Sequence, residues 1–258
     1  MRGPAPGGSG ERALVLGRKP VLEALAGSRH VRRIHLLDPD SKDANVRAIV
    51  AAAEAAGVPV LRATAGALDR LARGTSHQGA AAECEPLEYV SLDDILKLAE
   101  RRGEPAFIIL LDHVEDPHNL GAVLRVADGA GAHGVVIPER GAAGLGPAAI
   151  KASAGAAEHV PVARVSTTMD AVNRLKRAGV WICGTAADEG KTYFDERLTG
   201  PLALAMGSEG EGLSGPVRKH VDFFVRIPMK GGVSSLNVSV ATAIIAYERL
   251  RQSTQPKA

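Results

Sequence analysis

A chain of 258 residues with 45% hydrophobic and 23% charged residues can bury a core in one large or two modest domains, which excludes a disordered chain. Aromatic residues are only 3%, too few for the stacking platforms of an RRM or OB-fold, and the net charge of +2 does not by itself mark a polyanion partner. Cys84 and Cys183 lie far apart without a C-x-x-C, and no apolar run approaches the roughly 18 residues a membrane helix needs, so the expectation is a cytoplasmic protein without disulfide framework, zinc site or membrane span.

Residues 1–10 form a Gly/Pro/Ser tail expected to be disordered. Residues 11–86 read as a small α/β unit. Leu14-Val15-Leu16 is a short strand, Val21, Leu22 and Leu25 share a helical face, and Val31 to Leu37 is a second strand. Ala44 to Ala56 has helical spacing and stops at Gly57, Val58 to Leu61 resumes extended structure, and Leu68 with Leu71 marks a short helix. Ala80 to Glu85 closes the unit as a strand, and His77 before it reads as a capping or loop residue. The clusters Arg29-His30-Val31-Arg32-Arg33 and, further on, Arg218-Lys219-His220 are local basic patches of the kind most often solvated.

The stretch from Pro86 to Pro105 breaks this pattern with its two prolines and a charged helix opened by Ser91 and Asp94, spaced as a capping box; residues 87–104 are expected to be a linker. From 105 to 258 strands alternate with helices. Phe107 to Leu111 is a continuous apolar run, as in a strand covered on both faces, and Asp116-Pro117 starts a helix carrying Asn119 and, about two turns on, Arg125. Gly134 to Pro138, Val160 to Ala163 and Val180 to Gly184 are further strands, with helices over Pro147 to Ala154 and Met169 to Ala178 between them. Leu202 to Met206 and Phe223 to Ile227 each end in a loop rich in Gly and small polar residues, and Val238 to Leu250 is the last helix. The alternation predicts an α/β fold with a mainly parallel sheet and a ligand crevice at its strand ends.

Three strand-end loops carry the polar residues. They are Asn119-x-Gly121-Ala122-x-x-Arg125, Gly207-Ser208-Glu209-Gly210-x-Gly212, and Ile227-Pro228-Met229 through Ser234-Ser235-Leu236-Asn237-Val238. Together and in this order they resemble the signatures of the SpoU (TrmH) branch of the SPOUT RNA 2'-O-ribose methyltransferases. Leu16-Gly17-Arg18-Lys19-Pro20-Val21 and Ser76-His77-Gln78-Gly79 resemble the substrate-binding domain of the RlmB-type subgroup, which methylates a guanosine ribose in the peptidyl-transferase loop of 23S rRNA.

The resemblance implies a SPOUT-type parallel sheet covered by helices with a C-terminal trefoil knot, preceded by a small ribosomal L30e-like domain that binds RNA. It implies a homodimer and S-adenosylmethionine as cofactor; that methyl donor needs no Lewis acid, so no metal is expected in catalysis. Backbone groups of Gly207, Ile227 and Leu236 would hold the adenosine part, with Met206 and Met229 as apolar neighbours. Arg125 would be central to catalysis and Asn119 would orient the ribose or Arg125. Glu209 would fix Arg125 or serve as an alternative base, and Ser235 with Asn237 would shape the site, unless either is only a helix cap. The thiostrepton-resistance rRNA adenosine methyltransferases and tRNA 2'-O-methyltransferases share the plan, and an RNA-binding assembly protein on the same scaffold is the non-enzyme alternative. A nucleotide-binding oxidoreductase lacks its phosphate fingerprint here.

Overall fold

The computed structural model describes residues 13–27, 29–208 and 210–254, so the expected disordered tail and Glu209 lie outside the described residues. The chain divides into two compact units, residues 1–88 and 89–258.

In the first unit the elements are β1 (Ala13–Leu16), α1 (Arg18–Ala26), β2 (Val31–Leu36), α2 (Ala44–Ala55), β3 (Val60–Arg62), α3 (Ala65–Ala72) and β4 (Ala80–Cys84). The sheet order is β1-β4-β2-β3, with β4 antiparallel to both neighbours and β2 parallel to β3. The helices form because apolar residues recur on one face, and polar caps close the starts of α2 and α3. Asp43 accepts the amides of Asn45 and Val46, and Thr64 accepts that of Ala67. The His77 Nδ1 atom accepts the Gly79 amide at 2.9 Å, which makes it a turn residue at the entry to β4.

The second unit contains α4 (Leu92–Arg102), β5 (Phe107–Leu111), α5 (Pro117–Gly129), β6 (Gly134–Pro138), α6 (Pro147–Ala152), β7 (Val162–Val165), α7 (Thr168–Arg177) and β8 (Trp181–Thr185). It continues with β9 (Lys191–Thr192), β10 (Leu202–Met206), α8 (Gly215–Arg218), β11 (Phe223–Arg226) and α9 (Val238–Thr254). All strand pairs are parallel in the order β7-β6-β5-β10-β8-β11-β9. Strands β5 and β10 lie at the centre and every residue of both is buried, which is why FIILL and LALAM show no polar alternation. Leu92, Ile95, Ala171, Val172, Leu175 and Val217 pack on one face of the sheet, while α5 packs with α6 and α9.

The expected linker at 87–104 is therefore corrected. Its helix α4 buries Leu92, Ile95 and Ala99, and Gly134 leaves room for the Ile95 side chain, since a Cβ there would lie 2.5 Å from Ile95 Cδ1. Burying a side chain such as Ile95 contributes about 1.5–3 kcal/mol, so an amphipathic helix beside an apolar sheet docks rather than hangs free. The short elements β9 and α8 were not foreseen, because neither two nor four residues carry a readable period.

Candidate active site

A parallel sheet presents its strand-end loops on one rim, and this one is indented where β8, β10 and β11 end. The cavity there measures about 350 Å3 and draws its walls from Thr185 to Asp188, the turn after β10, the loop after β11 and the first turns of α9. All five expected cofactor residues, Met206, Gly207, Ile227, Met229 and Leu236, line it, as does Ser235.

The turn after β10 closes on itself. Ser208 and Gly212 exchange both backbone hydrogen bonds at 3.1 Å, and a Cβ on Gly207 would lie 2.0 Å from the carbonyl carbon of Gly212. Gly210 and Gly212 adopt φ of +98° and +71°, which L side chains rarely tolerate. The glycines thus make a tight backbone wall rather than a phosphate loop.

Of the expected catalytic residues, Asn119 and Asn237 meet. The Asn237 Nδ2–H donates to Asn119 Oδ1 at 2.9 Å, which ties the start of α5 to the start of α9. Asn237 also caps α9, its Oδ1 accepting the Ser239 amide at 2.9 Å, so the cap and the site are one residue. Arg125 is exposed and does not line the cavity, and among the described residues it makes no hydrogen bond or ion pair. Glu209 belongs to the undescribed positions.

Asp112, Thr168 and the Thr185 to Asp188 wall were not singled out from sequence, and Arg218 was read only as part of a basic patch. Asp112 is wholly buried at the end of β5. Its carboxylate accepts the Thr168 hydroxyl at 2.7 Å, the Ser214 amide at 2.8 Å and the His113 Nδ1–H at 3.0 Å. Burial pulls this carboxyl upward, yet those donors together hold it below its ordinary value. A signal existed in the chain, namely a carboxylate directly after an unbroken apolar strand. Arg218 lines the cavity, pairs with Glu189 and lies 5.0 Å over the Phe224 ring. Burial pushes the thiol of Cys183 up and leaves it inert.

The cavity suits an adenosine. Met206, Ile227, Met229, Leu236, Val238, Ala241 and Ile245 supply an apolar slot. Among the described residues, Ile227, Met229 and Leu236 make no backbone hydrogen bond, so their N–H and C=O groups remain for a heterocycle. No cluster of three or more His, Cys, Asp or Glu among the described residues is arranged to hold a metal, and no described helix is long and apolar enough to cross a membrane.

Residues 106–247 match the SpoU rRNA methylase family, and residues 14–90 match the substrate-binding domain of RNA 2'-O ribose methyltransferases. The chain belongs to the SpoU rRNA methylase family. A 23S rRNA (guanosine-2'-O-)-methyltransferase RlmB from Burkholderia is 47% identical over 216 residues, 83% of this chain and 86% of that protein. The SpoU methyltransferase AviRb from Streptomyces viridochromogenes, solved with AdoMet, superimposes with a TM-score of 0.78 at 28% identity, covering 95% of this chain and 92% of AviRb. An AdoMet-bound rRNA methyltransferase from Sinorhizobium meliloti gives a TM-score of 0.76 at 27% identity, covering 95% and 88%. This SpoU methylase is accordingly an S-adenosylmethionine-dependent RNA methyltransferase with a SPOUT fold.

Proposed function

We propose that the chain methylates a ribose 2'-hydroxyl of RNA in the cytoplasm, and that its target is a guanosine in the peptidyl-transferase loop of 23S rRNA. The observation that carries this reading is that two of the three family loops, those after β10 and β11, line one cavity, while the third meets the start of α9 through the hydrogen bond from Asn237 to Asn119. The extent of likeness to a guanosine-specific relative supports the choice of target.

Gly207, Ile227 and Leu236 would hold the adenosine through backbone groups, with Met206 and Met229 packing against it. When bound, S-adenosylmethionine supplies an electrophilic methyl group. A ribose hydroxyl is a weak nucleophile at neutral pH and must shed its proton as it attacks. Arg125 is a poor base because a guanidinium stays protonated, but as a cation it stabilises the developing alkoxide and grips a neighbouring phosphate able to take the proton. Asn119 orients the ribose, and Ser235 and Asn237 shape its seat. Glu209 fixes Arg125 or acts as base.

Because Arg125 is exposed and away from the cavity lining, the reading includes a homodimer in which one protomer's Arg125 serves its partner's cavity. Exposed Val240 and Tyr247 on α9 support such a contact. It also includes a trefoil knot, supported by the insertion of β10 between β5 and β8 and of β11 between β8 and β9. Stretching single molecules from their ends would reveal the knot as a shortened contour length.

The deciding experiment incubates the protein with labelled S-adenosylmethionine and unmodified 23S rRNA, then maps the methylated nucleotide. One guanosine 2'-O-methyl mark in that loop is expected. A mark on an adenosine, or on tRNA alone, overturns the target.

A further inference from the structure

The turn Gly207 to Leu213 is bonded to itself and leaves the sheet at two points, and both points are held by the same residue. At its start, the Met206 carbonyl accepts the Asp112 backbone N–H at 2.8 Å. At its end, the Ser214 amide donates to Asp112 Oδ2 at 2.8 Å. The other oxygen, Oδ1, faces away from the turn to Thr168 at the start of α7 and to His113. An ionised carboxylate accepts hydrogen bonds only, so His113 must carry its proton on Nδ1, with Nε2 outward on a half-exposed ring. His113 adopts φ +59°, and Gly141 makes room for its ring, since a Cβ there would lie 2.8 Å from His113 Cδ2.

We propose that Asp112 is a positioning residue for the cofactor, acting as a two-point clamp that sets the Gly207 to Leu213 wall of the cavity through Met206 and Ser214. The inference rests on the assignment of that cavity to S-adenosylmethionine. Charge is essential to the clamp: a buried carboxylate receives donors from Ser214, Thr168 and His113, where a neutral amide must turn one of its own donors toward one of them. The bonds inside the wall join Ser208 to Gly212 and fix its shape, the buried Leu213 side chain seats its far end in the core, and Asp112 ties the backbone at both exits. A turn free to tilt about the end of β10 would no longer present Gly207 and Gly212 to the ligand at one distance.

The test compares four variants of the full chain by calorimetry with S-adenosylmethionine, thermal melting and hydrogen exchange. Asp112→Asn weakens the carboxylate clamp. Ser214→Pro deletes both donors of Ser214 to the carboxylate, its amide and its hydroxyl, at a residue whose φ of −57° proline accepts. Thr168→Val removes a hydrogen bond on the Oδ1 side and leaves both ties to the turn. Ile227→Trp fills the cavity.

The clamp predicts that Asp112→Asn and Ser214→Pro each weaken cofactor binding by about ten- to a hundredfold, the range for losing a hydrogen bond to a charged group. Exchange should quicken over residues 207–214. Thr168→Val should melt earlier yet bind the cofactor normally. If binding instead follows the melting temperature across all three, Asp112 is only structural and the proposal falls. It also falls if Asp112→Asn and Ser214→Pro bind as tightly as the parent while Ile227→Trp does not. Normal binding by Ile227→Trp would remove the cavity assignment itself. Should Asp112→Asn fail to fold, Ser214→Pro against Thr168→Val decides the matter.

Discussion

Arg125 and Gly207 show how differently single residues serve one site. Arg125 is exposed on α5 and makes no hydrogen bond or ion pair among the described residues, so Arg125→Ala is expected to abolish methyl transfer while cofactor affinity, read by calorimetry, stays at the parent value. Near-normal turnover would end its assignment. Gly207 has the opposite character, since any side chain meets the Gly212 backbone. Gly207→Ala should therefore open the turn and lose cofactor binding, with a melting temperature changed far less than the affinity. The family motifs singled out Asn119, Gly207, Leu236 and Asn237; Gly207 and Leu236 line the cavity, and Asn119 is bonded to Asn237. Sequence did not identify Asp112, whose importance lies in donors from Thr168, Ser214 and His113 that only folding assembles.

At the scale of elements, caps and anchors decide where helices sit. Ser91 accepts the Asp94 amide at 3.2 Å while the Asp94 carboxylate accepts the Ser91 amide at 3.2 Å, a reciprocal cap at the start of α4. Ser91→Ala should cost about 1 kcal/mol in chemical denaturation, and no measurable loss would show α4 held by packing alone. Helix α9 is anchored near its end by Arg249, which is buried, bonds the carbonyls of Pro105 and Gly200 at 3.4 and 3.3 Å, and lies 4.2 Å from the Phe107 ring. Burial pushes its pKa down to about 10, so it remains a cation at neutral pH. Helical periodicity revealed α5, α7 and α9 to within a few residues. It could not say that α4 docks on the sheet, because an amphipathic face in sequence names a need for a partner and not the partner.

For the whole molecule, each unit has its own sheet and core. Deleting residues 1–86 should weaken RNA binding far more than cofactor binding; unchanged RNA affinity would remove the substrate role of the first unit. If protomers share Arg125, co-expressing Arg125→Ala with Ile227→Trp should restore about a quarter of parental activity, because half of randomly paired dimers keep one intact composite site. A dead mixture would place Arg125 and the cavity in the same protomer. Stability should also carry a mark of pH. His133 is buried and its Nδ1 accepts the Phe107 amide at 3.0 Å, so the folded ring is neutral, and burial chiefly holds its pKa below the usual value. The unfolded chain takes up that proton below about pH 6.5 while the fold resists it, so stability falls as pH drops through that range. His133→Asn, whose amide oxygen can accept the same N–H, should flatten that slope in denaturation curves. Asp112 adds a second loss at lower pH, as its depressed carboxyl is finally protonated.

The order of residues along the chain was enough to determine the α/β class, the parallel character of the second sheet and the three polar loops, because periodicity, glycine placement and motif spacing are local and linear; the cofactor followed from the resemblance of those loops to a family. The place of β10 between β5 and β8, the docking of α4, the meeting of Asn119 with Asn237 and the hold of Asp112 on both ends of one turn were decided only in three dimensions. Each joins groups remote in sequence, and such contacts depend on which surfaces bury each other and which buried polar atoms must find partners.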